Sequence, residues 1–164
     1  MDAMATTDPL REQLVRLLNW EEAHVGFDKA VEGIPAEHRG ARPQGFEHSI
    51  WQQVEHLRLA QDDLLRFAIE PKYVHDKTWP DDYWPVNPAP ANDVAWNTCL
   101  TDFAADRERL KQLIGDDSTD LFALVPTGQG QQTVLRSILL VVDHNAYHIG
   151  QIVSLRKALG NWGG

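Results

Sequence analysis

Residues 131–159 read QQTVLRSILLVVDHNAYHIGQIVSLRKAL. Val134, Ile138, Val141, Val142, Ile149, Ile152 and Val153 recur at the three- and four-residue spacing that gathers apolar side chains on one face of an α-helix. Gly160 ends the run. A stripe of this length must be covered by elements of the same kind, and the chain offers three more. Residues 8–31 open with Asp8 as a cap and Pro9 in the first turn. Within them Leu10, Leu17, His24 and Val31 repeat every seven residues, with Trp20 and Phe27 interleaved, as in a buried bundle seam. Residues 47–69 carry Ile50, Val54, Leu57, Leu64 and Ala68 before Pro71, and residues 92–114 carry Val94, Leu100, Phe103, Leu110 and Leu113 before Gly115. No segment alternates as a strand would. The pattern predicts an all-α fold, a four-helix bundle.

Two connections, residues 32–46 and 70–91, are long enough to cross such a bundle from end to end, so long crossover loops are expected. At about 3.3 Å per extended residue the shorter one reaches about 50 Å, against about 36 Å for a helix as long as residues 8–31. The second holds Pro71, Pro80, Pro85, Pro88 and Pro90 among Tyr73, Trp79, Tyr83 and Trp84. It is too aromatic for a flexible linker, and reads as a plug against the bundle, a wall over a pocket, or both.

Composition sets the outer bounds. A chain of 164 residues with 43% hydrophobic content fits one domain spanning residues 1–164. Fifteen Lys and Arg against 24 Asp and Glu leave a net charge of −9, a poor endowment for gripping phosphate backbones, so no nucleic-acid partner is expected. Residues 107–111, RERLK, mix signs and read as a solvated helix face. The one cysteine, Cys99, excludes an internal disulfide and a cysteine-cluster metal site, and reads as a small buried apolar residue. The amino terminus lacks a basic stretch followed by an apolar core, and no apolar run exceeds residues 138–142. These features predict a cytoplasmic protein without a membrane span.

The histidines are the chemically informative residues. His144 and His148, four apart, lie about 40° apart around a helix and one turn along it, so both imidazoles can reach one ion. With Ile138 as zero they fall at about −120° and −80°, flanking the apolar stripe, while Tyr147 and Leu140 take the outer face. His56, with Ile50 as zero, also falls at about −120°, whereas His48 falls at about 160° and reads as a solvated residue at the helix start. His56, His144 and His148 can therefore converge from two helices. Three neutral nitrogen donors with an open position suit zinc, and also nickel or iron. The competing reading is three unrelated edge histidines. His24, with Glu21 about one turn before it, is a further ligand, a proton shuttle or a hydrogen-bonded core residue. Glu55 and Asp143 precede two of the histidines directly, and the helix turn of about 100° points them elsewhere.

HSIWQQVEHL at residues 48–57 and DHNAYHIGQ at residues 143–151 resemble the DinB-like superfamily of damage-inducible four-helix-bundle proteins, which includes the bacillithiol S-transferases. Trp79-Pro80, the YWP of residues 83–85 and the LRKALG of residues 155–160 extend the likeness over nearly the whole chain. The resemblance implies a bundle with long crossovers, often a homodimer, and a divalent metal on His56, His144 and His148. It also implies a metal-dependent enzyme, either a thiol S-transferase using a low-molecular-weight thiol or a hydrolase, acting on a small-molecule substrate. The alternative is a non-catalytic metal- or small-molecule-binding bundle of the stress response, its ion closed off by a fourth protein ligand such as His24.

Overall fold

The computed structural model describes residues 8–19 and 22–163. Its α-helices are α1 (Pro9–Leu17), α2 (Phe27–Val31), α3 (Ala36–Arg39), α4 (Ile50–Ile69), α5 (Asp93–Gly115) and α6 (Val134–Ala158), with a 3₁₀ turn at Asp81–Tyr83. Among the described residues the only extended pairing is an isolated bridge between Leu124 and Thr133. The fold is all-α.

Helix α4 is the centre of the molecule, packed against both α5 and α6, while α1 lies on α5 and α2 on α6. Its start is fixed by a reciprocal cap: Ser49 accepts from the Gln52 N–H, and the Gln52 side chain accepts from the Ser49 N–H. Ile50, Val54 and Leu57 of α4 meet Trp96, Cys99 and Phe103 of α5, Ile149, Ile152 and Leu155 of α6, and Phe27, Ala30 and Val31 of α2. Phe27 stacks on Phe103 with ring centres 3.9 Å apart. Leu14, Ala68, Ile114, Val134 and Ile138 close the far end, with Leu65, Leu110 and Val141 between.

The first predicted helix, residues 8–31, is broken. Helix α1 stops at Leu17, and Gly26, in extended conformation, caps a new helix at Phe27. The inward side of α1 is Arg11 and Leu14, while Leu10 is 39% exposed and His24 sits on an exposed bend. The heptad spacing misled because it would drive the His24 imidazole into the core, where its polar atoms lose water. Breaking the helix leaves that ring in solvent and still seats Phe27 on Phe103. Trp20, expected in the seam, lies outside the described residues. Two smaller expectations also fail. Val94 is exposed, and Trp96, tilted against Trp51 and lying under Arg39, takes the inward place. Arg107 is buried rather than solvated, because its guanidinium reaches Asp28 at 2.9 Å and ties α2 to α5.

The connection from Glu70 to Asn92 is a strap laid along α4 and running opposite to it. The Tyr73 and Tyr83 hydroxyls bond Asp63, Gln52 Nε2 donates to the Pro85 carbonyl at 2.9 Å, and the Ser49 hydroxyl donates to the Pro88 carbonyl. From Asp63 back to Ser49 these ties span about 21 Å of helix. Among the described residues no helix is long and apolar enough to cross a membrane.

Candidate metal centre

Helix α4 presents His56 and helix α6 presents His144 and His148, and a nitrogen from each lies within 4.8 Å of the others. His56 and His148 are buried and His144 is half-buried. His56 Nε2 and His144 Nε2 approach to 2.9 Å. For comparison, two nitrogens bound to one tetrahedral zinc at 2.0–2.1 Å stand about 3.3 Å apart.

Two of the three rings are held from behind. His56 Nδ1 is 2.9 Å from the Tyr83 carbonyl oxygen, which can only accept, so that nitrogen carries the proton and the lone pair lies on Nε2. His148 Nδ1 is 2.7 Å from Gln53 Oε1, with the same consequence for its ring. Ligating histidines typically donate their second N–H to a carbonyl or carboxylate in this way. Burial lowers the imidazole pKa of His56 to about 4 and that of His148 to about 3, with neighbouring imidazoles adding to the effect. Burial lowers His144 too, partly offset by the Asp143 carboxylate. At neutral pH all three rings are uncharged and offer lone pairs. This donor set fits a borderline-soft divalent ion such as zinc or nickel.

The strap supplies the walls. Trp84 stacks on His56 with ring centres 3.8 Å apart and planes 2° from parallel, and it stacks equally closely on His48. His48 is therefore a half-buried stacking partner and not the solvated residue its helical angle predicts, because the strap covers that side of α4. Trp79 tilts over His56 at 6.2 Å and Tyr147 meets His148 edge-on at 4.9 Å. Both are largely exposed, at 62% and 64%, so they form an aromatic rim on the solvent side.

His24 is not part of the cluster. Its Nδ1 lies 2.8 Å from the Val25 carbonyl, and its ring borders a separate pocket of about 230 Å³ with Phe27, Phe103, Val142, Asn145 and Ile149. Glu21 lies outside the described residues. Glu55 turns away to bond Arg58 at 2.5 and 2.8 Å, and Asp143 is exposed, as their helical angles predict. Sequence reasoning missed Gln53 and the main chain of Tyr83. Gln53 sits one turn before His56, a signal that becomes readable only once α6 is known to cross there. A main-chain carbonyl leaves no signal at all.

A helical bundle with three neutral imidazoles at the junction of two helices, two of them held through Nδ1, defines a class of protein with one small polar centre in an apolar frame. The chain belongs to the DinB superfamily, whose family model matches residues 19–152. No curated protein matches it.

Proposed function

We propose that His56, His144 and His148 hold a divalent metal, zinc or nickel, with at least one position open, and that the protein is a metal-dependent enzyme of the thiol-transferase or hydrolase type. The observation that carries this reading is the anchoring of two of the rings through Nδ1, which leaves Nε2 of each free to face the centre. An ion bound there supplies a Lewis acid and lowers the pKa of a water or low-molecular-weight thiol in its open position. The protein's own residues do the rest. Gln53 and the Tyr83 carbonyl fix ring orientation, Trp84 keeps water from one side of His56, and Trp79 with Tyr147 offers apolar surface to a small-molecule substrate.

The non-catalytic reading needs a fourth protein ligand to close the centre. His24 stands outside the cluster, which among the described residues has three members. The open-site reading is therefore preferred. A homodimer, as the family resemblance implies, is also proposed, and light scattering on the purified protein would measure it.

Elemental analysis of tag-free protein tests the site. Wild type should carry about one zinc or nickel per chain, and His144→Ala should lose most of it; equal metal content in the two would refute the assignment. Loaded protein supplied with a small thiol and an activated aryl halide should form the aryl thioether with release of halide and the thiol proton, or else hydrolyse a simple ester to acid and alcohol. Loss of either activity on chelation, and its return with metal, is the expected result. Full activity after exhaustive chelation would exclude metal dependence.

A further inference from the structure

His56 and Asp63 lie seven residues apart on α4, about 20° apart around the helix and about 10 Å along it. Tyr83 spans them. Its hydroxyl donates to Asp63 Oδ2 at 2.6 Å, while its own carbonyl oxygen accepts from His56 Nδ1 at 2.9 Å. Both anchor residues are buried, Asp63 at 7% and Tyr83 at 3% exposure. Tyr73 donates to Oδ1, also at 2.6 Å, and His75 Nδ1 lies 3.9 Å from Oδ2. An ionised carboxylate only accepts, so both phenols are fixed as donors. Burial and the Asp63 charge push both tyrosine pKa values up, which keeps those protons in place at neutral pH.

We infer that Tyr83, anchored through its hydroxyl by Asp63, is a positioning residue for His56: the anchored strap aims the Tyr83 carbonyl at Nδ1 and so fixes the tautomer that exposes Nε2 to His144. Tyr83 closes the 3₁₀ turn of Asp81–Tyr83, and the next N–H, that of Trp84, returns to the Asp81 carbonyl. The direction of the Tyr83 carbonyl is therefore set by where its side chain is tied. Tyr73 provides an internal control. It bonds the same carboxylate at the same distance, and its hydroxyl also lies 2.9 Å from His75 Nδ1, a histidine outside the cluster, whereas the Tyr83 main chain reaches His56 itself. Any consequence of weakening the carboxylate cluster is shared by the two tyrosines; a consequence for His56 belongs to Tyr83 alone.

The consequence for metal affinity rests on the three-histidine reading, whereas the tautomer does not. The test compares Tyr83→Phe with Tyr73→Phe in two measurements. Long-range ¹H–¹⁵N correlation of the imidazoles in metal-free protein should show His56 as the Nδ1–H tautomer in wild type and Tyr73→Phe, and as a tautomer mixture in Tyr83→Phe. Zinc competition against a chromophoric chelator should show affinity about tenfold weaker in Tyr83→Phe, at the low end for loss of an outer partner, and near wild type in Tyr73→Phe. An unchanged His56 tautomer in Tyr83→Phe, or an affinity loss shared equally by Tyr73→Phe, overturns the inference. A tautomer shift confined to Tyr83→Phe, together with a wild type that binds neither zinc nor nickel, would support the positioning role and refute the metal reading, so the two fail separately.

Discussion

Cys99 shows how far a residue's surroundings override its intrinsic chemistry. Its thiol is 3% exposed among the apolar side chains of α4 and α5, and burial, reinforced by the charge and hydrogen bond of Glu55, pushes its pKa far above the ordinary thiol range. A low-molecular-weight thiol in the proposed reaction must therefore come from outside the chain, since the thiolate form of Cys99 is negligible at neutral pH. Ellman's reagent at pH 8 should leave the native protein unmodified for hours and titrate one thiol per chain in denaturant. Rapid native labelling would contradict the packing described. Residue-level reading of the sequence succeeded where the helical angle alone decided position, as with His56, His144 and His148. It failed for His48, whose angle is outward but whose neighbour Trp84 arrives from a distant segment.

At the scale of elements, the three long helices were legible nearly to their ends: residues 47–69, 92–114 and 131–159 predicted, Ile50–Ile69, Asp93–Gly115 and Val134–Ala158 observed. Each has a continuous apolar stripe and a polar cap, Ser49, Asn92 or Thr133. The first helix was misread because a seven-residue repeat does not reveal that one member of the seam is an imidazole better left in water. What docks α1 is also invisible to periodicity. The Arg11 guanidinium donates to the carbonyls of Ile114, Asp116 and Thr119 at 2.7, 3.0 and 2.5 Å, satisfying groups at and just beyond the end of α5. Arg11→Ala should lower stability to urea by about 2–3 kcal/mol, the cost of losing charged hydrogen bonds and stranding buried carbonyls. Arg11→Lys should recover only part of it, because an ammonium lacks the planar fork. A loss below about 0.5 kcal/mol for the alanine variant would mean that Leu14 alone docks the helix.

Across the whole molecule, the buried histidines link folding to pH. Their folded pKa values, about 4 for His56 and about 3 for His148, lie below the ordinary value of 6.5, so between these limits the unfolded chain binds protons that the native protein refuses. Stability of the metal-free protein should be complete above about pH 6.5 and fall on acidification through 4, by about 1.4 kcal/mol per pH unit for each of the two groups. Urea midpoints of chelator-treated protein at pH 7 and pH 5 would measure this, and equal midpoints would show that the rings are hydrated in the native state. The order of the site along the chain carries one more consequence. His56 belongs to α4 and is made first, whereas His144 and His148 belong to α6, which follows α4 and α5 along the chain. A nascent chain on the ribosome can offer at most one of the three imidazoles until α6 has emerged. An ion that needs all three therefore cannot template the helices before α6, and its stabilisation would act as a late latch, applied only once α6 has joined α4.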